Sequence, residues 1–196
     1  MSQPSVPVPA RNATDTRRSL QLAGIPVGLM WALEAIDTAT FHLLDRFGLQ
    51  SWDLDGLWGM FTAPWLHLGW QHLMNNSVPL LVLGFLVALS GIRRWLLTTL
   101  VVVLTSGLAA WLLSPPGTMT MGASGVVFGW LTYLLARAWW SRDWRQVLIG
   151  VVVFVVYGSV LWGVLPADQA VSWQGHLGGA AGGILAARML HGRRAS

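Results

Sequence analysis

Apolar runs alternate with short polar breaks along this chain and divide it into six long segments. Residues 20–36, 71–90, 95–113, 120–136, 146–165 and 172–190 are predominantly apolar. Gly91-Ile92-Arg93-Arg94, Ser114-Pro115-Pro116-Gly117, residues 137–145 and Pro166-Ala167-Asp168 separate the last five. Neither 95–136, 146–167 nor 169–187 holds an Asp, Glu, Lys or Arg. A helix needs about 20 mostly apolar residues to cross a bilayer, so the pattern predicts six spans. Residues 37–70 differ: Asp45, Asp53, Asp55, Gly48, Gly56, Gly59, Pro64 and four tryptophans break them too often for a span. Such a stretch fits a structured loop at headgroup level.

Composition supports the membrane class. The chain is 54% hydrophobic and 10% charged, with a mean hydropathy of +0.56; soluble domains carry about 25% charged residues. The absence of cysteine excludes disulfides, zinc–thiolate sites and a thiol nucleophile. The net charge of +4 would suit nucleic acid, but the arginines lie scattered in short connections and read as topology, so no nucleic-acid partner is expected. All of the twelve basic residues except Arg46 fall on one side of the six spans. The positive-inside rule makes that side, and both termini, cytoplasmic.

The expected fold is therefore all-α: a polytopic six-helix membrane bundle over 19–190. A disordered tail, 1–18, precedes it and a short basic tail, 191–196, follows. Arg17-Arg18 before an apolar run resembles a signal-peptide start, but with further spans downstream it is read as the entry to an uncleaved helix. The arginine-only basic set points to a prokaryotic cytoplasmic membrane. Glu34, late in the first span, is expected to be an interface-seeking carboxylate. No cofactor or metal site is expected, and nothing in the sequence sets an oligomeric state.

Three polar stations stand out in the apolar background: His67…His72…Asn76, Gly122-Ala123-Ser124-Gly125, and Gly175-His176-Leu177-Gly178-Gly179. A lone serine in an apolar helix is usually a packing residue whose hydroxyl bonds back one turn. Here the second, fourth and sixth helices all enter from the external face with their polar groups near that end. Reckoned at 1.5 Å per residue, Ser124 and His176 lie roughly 10–12 Å below the preceding breakers. Gly125 and Gly129, and Gly179 and Gly183, form small-xxx-small pairs that let two helices approach closely. A serine hydroxyl and an imidazole could then meet, the imidazole serving as base. Ser124 N–H, His72 and Asn76 are the candidate oxyanion donors. No acidic residue in these helices is placed to orient His176, leaving Phe128 or Tyr157 packing as contributors.

These stations resemble the rhomboid family of intramembrane serine proteases. The resemblance implies Ser124 as nucleophile and His176 as base. It also implies His72, Asn76 and the Ser124 N–H as oxyanion donors, and membrane proteins as substrates, cut in or near a span. Two positions depart from the family pattern: Trp58-Gly59 stands where Trp-Arg is common, and Phe128 stands where a tyrosine is common. The competing expectations are an inactive rhomboid-like binder of membrane clients and a small transporter. The intact pair disfavours the first, and the absence of midplane charges disfavours the second.

Overall fold

The computed structural model describes residues 13–141, 143–165 and 172–192. The expected tail residues 1–12 and 193–196, with Arg11, Arg193 and Arg194, lie outside it, as do Arg142 and the break at 166–168. Helix α1 spans Ala13–Ala39. A loop follows, built of 3-10 turns, a two-residue strand β1 (Leu49–Gln50) and the short helix α2 (Gly59–Thr62). Then come α3 (Trp70–Ala88), α4 (Ile92–Leu113), the two-residue strand β2 (Met119–Thr120), α5 (Ser124–Ser141), α6 (Trp144–Tyr157) and α7 (Trp173–His191).

Several boundaries differ from the periodicity: α4 starts at Ile92, inside the expected break, α5 runs on to Ser141, and three more bear on the architecture. Helix α1 begins at Ala13, not residue 20, with Asp15 in its first turn complementing the helix dipole. Helix α6 tightens into a 3-10 helix over Gly158–Val164. Helix α5 begins at Ser124, not residue 120. Met119 and Thr120 pair antiparallel with Gln50 and Leu49 instead. Gly122 then takes φ +117°, outside the right-handed helical region. The depth reckoned along a continuous helix from Gly117 to Ser124 therefore does not hold.

Among the described residues four helical stretches are long and apolar enough to cross a membrane: Asp15–Ala39, Trp70–Ala88, Ile92–Leu113 and Trp144–Val164. Helices α5 and α7 do not meet that measure: α5 lies inside the bundle, whereas α7 buries its glycine faces and leaves Leu177, Ile184, Leu185 and Met189 exposed. Residues 125–134 of α5 are buried without a break, and Leu131, Tyr133 and Leu134 are wholly enclosed. Helix α6, by contrast, presents Val151, Val152, Val155 and Val156 outward.

Helix α7 is a wedge faced with glycine on two sides. A Cβ at Gly179 would overlap the Gly125 carbonyl, and one at Gly183 the Gly129 carbonyl and the Thr132 hydroxyl. On the other side, Gly178 and Gly182 abut Thr105 of α4. Thr132 Oγ1 adds an interhelical bond by donating to Ala180 O at 2.8 Å. Backbones this close gain dispersion contact that larger residues would forbid.

Gly179→Leu should therefore lower the thermal unfolding midpoint in detergent, overpacking costing about 1–3 kcal/mol. Ala181→Leu, whose side chain points out of the bundle, should leave the midpoint unchanged. Equal effects at the two positions would contradict the wedge.

Candidate active site

Ser124 is presented by a tightly held turn. The β1–β2 pairing fixes the chain just before it, and Gly122 N–H donates to Ala63 O at 2.9 Å. Gly122 has a second reason to be glycine besides its positive φ. A Cβ there would lie 2.5 Å from Cε1 and 2.8 Å from Nε2 of His72. The next N–H, of Ala123, points at His67 Nε2, 3.5 Å away. Ser124 is the first residue of α5, so its own N–H has no intrahelical acceptor and sits at the positive end of the helix dipole. The residue is half-buried.

His176 enters from α7, whose first turn is capped by the Ser172 hydroxyl accepting from Gly175 N–H. Ser106 Oγ of α4 donates to Gly175 O at 2.8 Å and holds that turn against the bundle. The imidazole is 5% exposed. Its Nε2 lies 2.8 Å from Ser124 Oγ. On the other side of the ring, Nδ1 lies 2.8 Å from the Gly163 carbonyl oxygen, in the 3-10 segment after α6. Phe128 stacks on the ring face with centroids 4.1 Å apart and planes 11° from parallel.

These contacts determine the tautomer. A carbonyl can only accept, so Nδ1 carries the proton and donates to Gly163 O. In the neutral ring Nε2 is then the lone-pair nitrogen, and the serine hydroxyl donates to it. That arrangement can remove the hydroxyl proton as the oxygen attacks an electrophile.

The remaining expected residues are distributed as follows. His72 stands beside Gly122, two residues before Ser124, with its ring centroid 5.2 Å from that of His67 and the planes at 72°. Asn76 is buried one turn further along α3, its Nδ2 donating to His72 O at 3.0 Å. One of its two N–H groups is thus committed to its own helix. Asn75 faces outward and pairs with Gln71. Gly125 and Gly179 meet directly below the Ser124–His176 contact, and Gly129 and Gly183 repeat the contact one turn deeper.

Sequence reasoning missed Gly163 and Ser106. Gly163 acts through its carbonyl, which every residue type possesses, so no side-chain signal marks it. Its smallness does matter, since a Cβ there would lie 2.8 Å from Phe128 Cζ. Gly59 is similarly constrained, because a Cβ would overlap the Gly48–Leu49 backbone; an arginine cannot stand there without moving the loop.

Helical architecture, membrane-length apolar segments and a buried Ser–His pair together define a helical membrane protein with a hydrolase-like constellation. Comparison with known proteins gives the family. The Rhomboid domain model matches residues 54–193, and the chain belongs to the rhomboid family. It is 43% identical over 172 residues to an uncharacterized protein of Mycobacterium tuberculosis, covering 84% of this chain and 72% of that one. An uncharacterized protein of Mycobacterium leprae is 42% identical over 192 residues, covering 90% of this chain and 76% of that one. The rhomboid protease GluP of Bacillus subtilis is 34% identical over 134 residues, covering 68% of this chain and 26% of that protein.

His67 generates a pH prediction. Burial, reinforced by neighbouring His72, lowers its pKa from 6.5 to about 4. The neutral ring, required to accept from Ala123, is favoured by folding; protonation therefore favours the unfolded chain. Its stabilising contribution is complete above pH 6.5 and is lost as pH falls toward 4. His67→Gln keeps an acceptor but removes the titration. Thermal unfolding in detergent should decline less steeply over this window in the variant than in the wild type, and parallel curves would exclude the assignment.

Proposed function

We propose that this chain is an intramembrane serine endopeptidase that cleaves membrane-protein substrates in or near their spans with a Ser124–His176 dyad. The observation that carries the reading is the 2.8 Å Ser124 Oγ–His176 Nε2 contact, with Nδ1 of the same ring held by the Gly163 carbonyl. Membership of the rhomboid family supports it.

In this mechanism Ser124 Oγ attacks the scissile carbonyl carbon while its proton passes to His176 Nε2. The negative charge on the carbonyl oxygen is met by the Ser124 N–H, the His72 ring and the uncommitted N–H of Asn76. The imidazolium then gives its proton to the leaving amine, freeing the C-terminal fragment. Water, deprotonated by the same nitrogen, releases the acyl group from Ser124. Phe128 keeps the imidazole in plane throughout. Gly125, Gly129, Gly179 and Gly183 bring the two helices close enough for so short a contact.

Six spans with both termini in the cytoplasm of a prokaryotic cell place this site toward the external face. Helix α5 then crosses inside the bundle and α7 turns its glycine faces to α4 and α5, which explains why polar and small residues are tolerated there.

A fluorophosphonate probe on detergent-purified protein tests the dyad and separates a protease from a rhomboid-like binder that captures clients without cutting them. The probe should label Ser124. Ser124→Ala and His176→Ala should each abolish labelling and cleavage of a transmembrane reporter substrate. Asn76→Ala should retain labelling but slow turnover by about 10²–10³-fold, the usual worth of one oxyanion donor. Full cleavage by Ser124→Ala would end the proposal.

Topology is tested separately. Reporter fusions after Arg94 and Arg145 should read as cytoplasmic, and fusions within 45–56 or at Pro116 as external. An external signal at Arg145 would invert the site.

A further inference from the structure

The C-terminal end of α1 carries an unusual concentration of acidic groups. Asp37 is buried on the last turns of the helix, and the chain reverses immediately after it through Phe41 and His42, both at positive φ. The reversal brings His42 Nδ1 to within 2.9 Å of Asp37 Oδ2. The other oxygen, Asp37 Oδ1, accepts from Leu44 N–H at 2.7 Å. Asp45 follows in the next turn, and ligand atoms of Asp37, His42 and Asp45 all lie within 4.8 Å of one another.

A fourth group, Glu34, stands beside the three whose ligand atoms converge. Glu34 precedes Asp37 by three residues and so shares its helix face. Expected as an interfacial carboxylate, it is instead 2% exposed, and neither of its oxygens has a hydrogen-bond partner. Asp37, Asp45 and His42 are the charged groups that act on it. A buried carboxylate with no partner is costly in its charged form, and a cation beside it would offset that cost. Arg46, the nearest cation in sequence, lies over the Phe47 ring instead, 4.8 Å from its centroid.

We propose that Asp37, His42 and Asp45, with the unpartnered Glu34 beside them, form a divalent-cation site that ties the end of α1 to the start of the loop that follows it. The donor set is one imidazole nitrogen with carboxylate oxygens, which suits zinc. Calcium takes oxygen donors throughout its shell and has no use for the imidazole nitrogen. The His42–Asp37 contact closes the ligand set in the absence of metal, and the imidazole must be neutral to bind it. The cation clamps the reversal at Phe41–His42 and balances the charge that the helix end accumulates.

The test uses the full chain in detergent, purified without a polyhistidine tag and stripped with a chelator. Zinc chloride and calcium chloride are then titrated separately by calorimetry. One zinc per chain should bind, with calcium at least tenfold weaker. His42→Gln, Asp45→Asn and Glu34→Gln should each weaken zinc binding by about 10–100-fold, the scale on which support of a metal site is lost. His191→Gln, at the far end of the bundle, should leave it unchanged. Circular dichroism on each variant establishes that the helices persist. Wild-type affinity in His42→Gln and Asp45→Asn, calcium binding equal to zinc, or no stoichiometric uptake would each overturn the site. The cluster would then be a His–Asp ion pair beside a protonated Glu34.

Discussion

The contact on which the rest of this structure depends is backbone against backbone: Gly179 of α7 against the Gly125 carbonyl of α5. Serine has one of the shortest polar side chains, and a histidine on a neighbouring helix reaches it only if the helix axes nearly touch. At ordinary interaxial distances of 8–10 Å intervening side chains would separate the two groups. Removing the Cβ atoms at Gly125, Gly129, Gly179 and Gly183 brings the helices together. Thr132 then spends its hydroxyl on the Ala180 carbonyl across this interface, and Ser106 of α4 directs its own to the Gly175 carbonyl of α7. In lipid no hydrophobic force drives helix to helix, so close packing and these polar bonds must hold the assembly.

Much of this was legible in the sequence because its causes are periodic and local. His176, Gly179 and Gly183 fall at intervals of three and four, which puts a polar group and two gaps on one stripe of any helix. The same holds for His72 and Asn76. What the sequence could not disclose arises from non-local pairing. The start of α5 at Ser124 depends on Met119 and Thr120 finding a partner at Leu49–Gln50, some seventy residues earlier. No helical periodicity carries that information. Glu34 reads as an interfacial charge because its position along the helix is all that a sequence gives. Its burial depends on which elements pack over that face, which is non-local.

The hydropathy pattern also hides an inside and an outside. A bundle that must hold polar groups within a membrane needs helices that do not meet lipid, and such helices need not be apolar. Helices α5 and α7 carry glycine, serine, threonine and histidine and fall short of the apolarity of α1, α3, α4 and α6. In α5 the lower hydropathy accompanies enclosure; α7 is covered only on its glycine faces and keeps Leu177, Ile184, Leu185 and Met189 outward. Gly59 follows the same logic at the loop, where a side chain would collide with the Gly48–Leu49 backbone.

Orientation of the imidazole rests on a different part of the molecule from its distance to the serine. In a Ser–His–Asp arrangement a carboxylate fixes the tautomer and stabilises the imidazolium. Here a neutral carbonyl, Gly163 O, fixes the tautomer alone. It comes from a 3-10 segment with no buried residue. A carbonyl dipole supports a positive ring less than a full charge does, but it carries no buried ionic group that must itself be neutralised. Phe128 supplies the other restraint, a face-on stack that resists tilting of the ring. Distance is thus set by the tightest packing in the bundle, and proton position by one of its most loosely packed segments. The two controls act on the same imidazole from opposite sides. A substitution in α7 that widens the helix contact separates the groups whatever the tautomer, whereas a shift of the Gly158–Val164 segment alters proton position while leaving the helices together.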